Sequence, residues 1–287
     1  MRKLPLAAAA MAMSLTLAPS AFAPQAFAAT AEPLVEFELM TWPEVKQALA
    51  DGKTTALIYT GGVEQRGPQV VNGLHNFVVQ YVVKEIALKL GNAIAMPVLG
   101  FTPNNASADL PGTIGLTNEI MALVLERIAE QTITNGFKNI VLMGDHGGGQ
   151  GAGADNVYAA VAKKLDDKYG AKGIHTYYCD ACYKGAHDAY DQYLIKQGLP
   201  ASSHAGLADT SEALYLEGNR NWVRKDKLAT AVGDPVVNGK TVVGPNSPRN
   251  GIAGDARGSK PEYGKMREDM KIDIAVKQIQ AWIPAKK

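Results

Sequence analysis

The sequence offers little that would suit a large, charged or membrane-embedded partner. Its formal charge is only +1 over 287 residues, and no basic run occurs beyond the extreme N-terminus, so nothing favours nucleic acid. After the first 28 residues no segment is long and apolar enough to span a membrane. There is no internal repeat and no low-complexity tract after that point. The glycine-rich stretch GDHGGGQGAG does not fit G-x-x-x-x-G-K-[ST], and a G-x-G-x-x-G reading fails on order, which removes the common phosphate loops. Histidine is scarce, with five residues at positions 75, 146, 175, 187 and 204. Cysteine is scarcer still, with Cys179 and Cys182 alone, in YYCDACYKGAH. In an oxidising compartment such a C-x-x-C pair most simply closes a small disulfide. A redox pair is the alternative, or a zinc site, for which His187 is the single further ligand nearby.

What is present begins with an export signal. Arg2 and Lys3 precede the apolar stretch LPLAAAAMAMSLTLAPSAFA, and the sequence AFA occurs at 21–23 and 26–28. Pro24 disfavours the first cut, so cleavage is expected after Ala28, giving a periplasmic or secreted protein. Loss of Arg2 and Lys3 takes the formal charge from +1 to −1. The whole chain is 46% apolar and 20% charged, and the remainder, 29–287, is long enough for one large domain with a sizeable core.

Strand-like and helix-like segments alternate along it. Short apolar runs at 54–60, 92–100, 138–144 and 173–179 read as buried strands. Segments 76–91, 117–136, 152–170, 208–218 and 261–283 have helical spacing. This order predicts a three-layer α/β/α fold with a mainly parallel central sheet. The stretch 219–260 is rich in Gly, Pro and Asn and reads as a surface excursion or a subunit contact.

In open parallel sheets ligands bind beyond the carboxyl ends of the strands, and the chemistry-bearing residues fall there. The first strand runs into GGVEQRGPQVVNGLH, with Glu64, Arg66 and His75; the third runs into Asp145 and His146. A Glu with two His is a common ligand set for a catalytic zinc with an open position for water. His204 follows in SSHAGLADTSEA, with Asp209 and Glu212 close behind.

Four of these segments, in order, resemble the creatininase (creatinine amidohydrolase) family. GGVEQRGPQVVNGLH is similar to its G-S-x-E-Q-H-G-P-H-L-P…D block, DLPGTIGLT to F-P-G-T-I-S-L, GDHGGG to N-G-H-G-G-N, and HAGLADTSEA to H-A-G-x-x-E-T-S. GDARGSKPEYGKM is a counterpart of the late G-D-P…A-x-x-E-x-G pattern. The resemblance runs from about residue 38 to about 282. It implies a metal-dependent hydrolase of a small cyclic or linear amide, two divalent metals (zinc or manganese), and a homo-oligomer, often a hexamer. It places Glu64 and His146 on the first metal and His204 near the catalytic water.

The departures from the family pattern are concentrated. The second-metal His is Arg66, which cannot lose a proton to bind an ion. The bridging Asp is His75, the acid after HAG is Leu207, Asp209 is one methylene shorter than the family Glu, and the E-H before F-P-G-T is Ala106-Ser107. The expectation is therefore a mononuclear site of Glu64, His75 and His146 holding one zinc, or manganese, with Arg66 filling the place of the lost cation. Asp145, Asp209 and His204 are the candidate general bases, and Arg66 a candidate clamp for a carboxylate or an oxyanion. The competing reading is an exported binding or scaffold protein that keeps the fold without catalysis.

Overall fold

The computed structural model describes residues 32–104 and 109–283. The signal-peptide reading of residues 1–28, and the departures at Ala106 and Ser107, lie outside the described residues. From Leu34 onward the chain packs as one unit.

Helix α1 (Trp42–Ala50) opens that unit, and β1 (Thr55–Thr60) follows. Every residue of β1 is buried, as the apolar run TALIYT requires of a central strand. Next come α2 (Leu74–Leu90), β2 (Ala93–Ala95), α3 (Asn118–Thr134), β3 (Asn139–Gly144), α4 (Val157–Tyr169) and β4 (His175–Tyr178). All pairings in this sheet are parallel, in the order β2-β1-β3-β4. The chain continues through α5 (Ala186–Lys196), α6 (Leu207–Leu216) and α7 (Lys225–Leu228), a small antiparallel pair β5 (Val236–Val237) and β6 (Lys240–Thr241), and α8 (Pro261–Trp282).

Strand alternation sorts the core into two layers. Leu57, Tyr59, Val141 and Met143 face α2 and α8, whereas Ala56, Ile58, Ile140 and Leu142 face α3 and α4. Helices therefore cover both faces of a parallel sheet, as the sequence predicts. The register pairs Thr60 with Gly144, so β1 and β3 end side by side. The residues that follow them, Gly61 onward and Asp145 onward, must share one edge.

Several expectations need correction. Only Ala93–Ala95 of the expected 92–100 strand is extended in the sheet; Pro97 removes a ladder donor, and pairing resumes as a single bridge between Thr60 and Leu99. The expected 152–170 helix starts as a 3₁₀ turn at Gly153–Asp155, and α4 begins at Val157, where the Asn156 side chain accepts from Ala159 N–H. Helix α1, with its Thr41/Glu44 capping box, and α5 were not expected. The disulfide is also absent: Cys179 and Cys182 are free, buried thiols. Cys179 Sγ donates to Gln278 Oε1 (3.1 Å) and Cys182 Sγ to the Cys179 carbonyl (3.0 Å), so each sulfur has its own partner.

Candidate active site

At the shared edge of β1 and β3 lies a cleft of about 500 Å³, bordered by Glu64, Arg66, His75, His146, His204 and Asp209 among others. The sequence-selected residues converge there, and one of them, Asp145, sits behind the wall instead of on it.

Glu64 is the hub. His75 Nε2 lies 3.4 Å from its Oε2 and His146 Nε2 3.5 Å, while His204 Nδ1 lies 3.6 Å from Oε1. Burial pushes the Glu64 carboxyl pKa up, but the two histidines and the Arg66 charge outweigh it and hold the carboxyl far below the usual range. Glu64 is thus a carboxylate in the fold.

Arg66 is 2% exposed and threads between these groups. Its Nη1 donates to Asp209 Oδ2, and its Nη2 to His75 Nε2 and, at 3.3 Å, to Glu64 Oε2. Asp209 is gripped from the other side by Arg267 Nη1 at 3.0 Å and accepts from Ala205 N–H at 2.9 Å. Desolvation alone would raise the Asp209 pKa; the two guanidinium groups reverse that and push it below the ordinary value. A carboxylate so held is a poor proton acceptor, and here it positions Arg66.

Asp145 is likewise committed. It accepts from His75 Nδ1–H (2.7 Å) and from Lys271 Nζ (2.7 Å). Burial raises its pKa, and Lys271 with His75 more than compensates. Asp145 is therefore the orienting partner behind His75, which leaves the His75 Nε2 lone pair facing Glu64 and Arg66. Lys271 also contacts Glu212 (3.1 Å), and Glu212 contacts Arg267 (3.1 Å). The contacts close a ring: His75, Asp145, Lys271, Glu212, Arg267, Asp209, Arg66 and back to His75. Lys271 and Arg267, both on α8, have no counterpart among the residues selected from sequence.

His204 differs from these. Its side chain keeps 27% exposure, and its Nε2 accepts from the Gln65 amide at 3.1 Å. Burial, then Arg66, lowers its pKa, so the ring is neutral. The next residue, Ala205, has φ +53°, which costs an L-residue about 1 kcal/mol or more. Gln69 Nε2 donates to the Ala205 carbonyl (2.7 Å) and Asp209 takes its N–H, so the strained turn that presents His204 is pinned at both ends.

Glu64, His75 and His146 fit a divalent ion. Their ligating atoms all lie within 4.8 Å of one another. The 3.4 and 3.5 Å separations from Glu64 match the roughly 3.4 Å edge of a tetrahedron with ~2.1 Å metal–ligand bonds. Two contacts would yield to an ion: the Arg66 Nη2 donation to His75, and the 2.9 Å donation from Gly148 N–H to His146 Nδ1, which places the neutral ring's hydrogen on Nε2.

An α/β protein with this Glu/His/His cluster at the carboxyl edge of a parallel sheet is of the kind that builds metal-dependent hydrolase sites. The creatininase family, described as creatinine amidohydrolase, matches residues 38–279, and the chain belongs to it. A 3-dehydro-scyllo-inosose hydrolase of Thermotoga maritima is 27% identical over 114 residues, which are 39% of this chain and 36% of the relative; the match thus spans about a third of that protein. Among solved structures, a creatinine amidohydrolase (creatininase) is similar with a TM-score of 0.71 and 19% identity, covering 88% of this chain and 99% of its own. A structure titled Creatininase Mn has a TM-score of 0.69, and a mutant creatininase of Zn-Zn type 0.68, each 20% identical over 88% of this chain and 100% and 99% of theirs.

Proposed function

We propose that this chain hydrolyses a C–N amide bond of a small polar molecule at a mononuclear divalent-metal site, in the periplasm or outside the cell. The observation that carries the reading is the convergence of Glu64, His75 and His146 on one point of the cleft, with His204 beside Glu64. A divalent ion held there, zinc or manganese, would supply a Lewis acid and lower the pKa of water. Zinc–zinc and manganese creatininases support the metal class.

The charge balance supports one ion. Four carboxylates, Glu64, Asp145, Asp209 and Glu212, have lowered pKa values, and three cations, Arg66, Arg267 and Lys271, are buried with them. A single divalent ion leaves this group close to neutral, whereas two would leave a large uncompensated positive charge out of water. Arg66 stands in for the second.

The residues divide the work. Asp145 fixes the His75 ring through Nδ1. Asp209 and Arg267 hold Arg66 in place. His204, neutral and the most open of the cluster, takes the proton from the attacking water at Nε2, displacing the Gln65 amide from it, and returns it to the leaving nitrogen. With zinc- or manganese-loaded protein and a panel of creatinine, 2-pyrrolidone and hydantoin, His204→Ala is expected to lower kcat by about 10²-fold or more while metal content stays unchanged. Undiminished turnover in that variant would reject His204 as the base.

A further inference from the structure

Most donors around the cleft are already spent. Arg66 uses Nη1 on Asp209 and Nη2 on His75 and Glu64, and its Nε is buried without a partner. Arg267 is held by Asp209, His187 and Glu212. Ser203 Oγ donates to the Ala253 carbonyl. Stabilisation of an oxyanion by the Arg66 Nη groups, as expected from the sequence, would require these ion pairs to break.

Besides Ser202, two polar side chains that border the cleft are not spent. Tyr183 has no hydrogen-bond partner for its hydroxyl among the described residues. The carboxamide of Asn104, a residue only 5% exposed, has neither its nitrogen nor its oxygen paired. Ser202 Oγ is unpaired too, but it belongs to the segment leading into His204. Native proteins pair nearly all buried polar groups, so the buried Asn104 carboxamide lacks a partner it would ordinarily have, while the hydroxyl of part-buried Tyr183 is free to meet a ligand in the cleft.

Tyr183 and the segment that carries Asn104 flank the same loop. A Cβ at Gly147 would lie 2.7 Å from the Tyr183 hydroxyl oxygen, and a Cβ at Gly148 would lie 1.5 Å from the carbonyl oxygen of Pro103, the residue before Asn104. Glycine is therefore needed at 148, where the atom met is backbone, and a side chain at 147 would push the Tyr183 hydroxyl aside. Tyr183 sits in a single π-helical turn, Ala181–Gly185, a form often found at functional sites. Its ring packs against His187 with centroids 4.6 Å apart. His187 is fixed in turn: its Nδ1–H donates to the Tyr183 carbonyl at 3.2 Å, and its Nε2 accepts from Arg267 at 3.0 Å. Burial, then the Asp145 charge, pushes the Tyr183 phenol pKa up, so its hydrogen stays in place.

We propose that the Tyr183 hydroxyl and the Asn104 carboxamide are the hydrogen-bond donors to the substrate's carbonyl oxygen as negative charge gathers on it. The assignment rests on the amidohydrolase reading. Both groups keep their hydrogens, and no bond to them forms or breaks. They supply, as neutral dipoles, the stabilisation that Arg66 is too committed to give.

Tyr183→Phe and Asn104→Leu test this with metal-loaded protein and the creatinine, 2-pyrrolidone and hydantoin panel, followed by proton NMR of the product acid and amine. Each variant is expected to lose about 10²-fold in kcat, with a much smaller change in KM. Thermal midpoints should equal or exceed that of the wild type, because each change removes an unpaired group. Turnover by the wild type that is undiminished in Tyr183→Phe overturns the donor assignment and leaves the amidohydrolase intact. A fall in the Tyr183→Phe midpoint also overturns it, by showing the hydroxyl paired within the protein. Absence of turnover by the wild type on the whole panel removes the reaction and the donor assignment together.

Discussion

Burial, then the Arg267 and Lys271 charges, drives the His187 pKa from 6.5 down to about 4. The folded state keeps this ring neutral, while the unfolded chain binds a proton near pH 6.5. Stability is therefore lost as pH falls from about 6.5 towards 4, by an amount on the order of 3 kcal/mol from this group. The depressed carboxylates act further down: their contribution is present above the ordinary carboxylate range and disappears below it. Urea unfolding at pH 7 and pH 5 should show a marked drop, and a smaller one in His187→Gln; an equal slope in the variant would show that His187 does not cause it. Lys271 makes a second test. It is 2% exposed and neutralises Asp145 and Glu212, so Lys271→Met strands two buried charges and is expected to cost about 3–5 kcal/mol in urea denaturation. A loss under 1 kcal/mol would mean that the ring is dispensable. At this scale the site was half legible. Glu64, His75, His146 and His204 stand out because they follow strands or occur in glycine-punctuated loops. Lys271 and Arg267 look like ordinary charges of a long helix, since their meaning comes from burial against residues more than 50 positions away. Asp145 looked like a base because sequence does not show which face of a loop a carboxylate takes.

Helices α6 and α8 approach closely enough that glycine is required between them. A Cβ at Gly264 would lie 2.1 Å from the Ser211 carbonyl oxygen, despite the helix propensity that alanine would add. Gly264→Ala should thus destabilise by about 1–3 kcal/mol, opposite to its propensity, and should weaken the contacts of Glu212 with Arg267 and Lys271. A stabilised variant, measured by thermal unfolding, would contradict this packing. The strands and long helices were readable because apolar runs ended at glycines. The strand after α2 is shorter than its apolar run suggests because Pro97 lacks the donor that would continue the ladder. Helix α5 has only a short sequence signal, the buried stripe of Ala186, Tyr190 and Leu194 at four-residue spacing. Thr41 and Glu44 signalled α1 by their capping-box spacing. The cysteine pair misled because spacing alone suggested a bridge, while each thiol found a separate acceptor.

For the whole molecule the fold brings a candidate Glu/His/His metal-ligand set to one sheet edge, surrounded by buried charges. Signal cleavage after Ala28 and self-association remain proposals of the same account; Leu39, Trp42 and Leu123, 62%, 77% and 68% exposed, offer apolar surface for the latter. The central claim is the mononuclear site with Arg66 in place of the second ion. It is tested most directly by elemental analysis of the mature protein, purified without chelator or a histidine tag. The account predicts about one zinc or manganese per chain, lost in Glu64→Ala and in His146→Ala. Two ions per chain would contradict the role given to Arg66, and none after reconstitution with either metal would contradict the hydrolase itself.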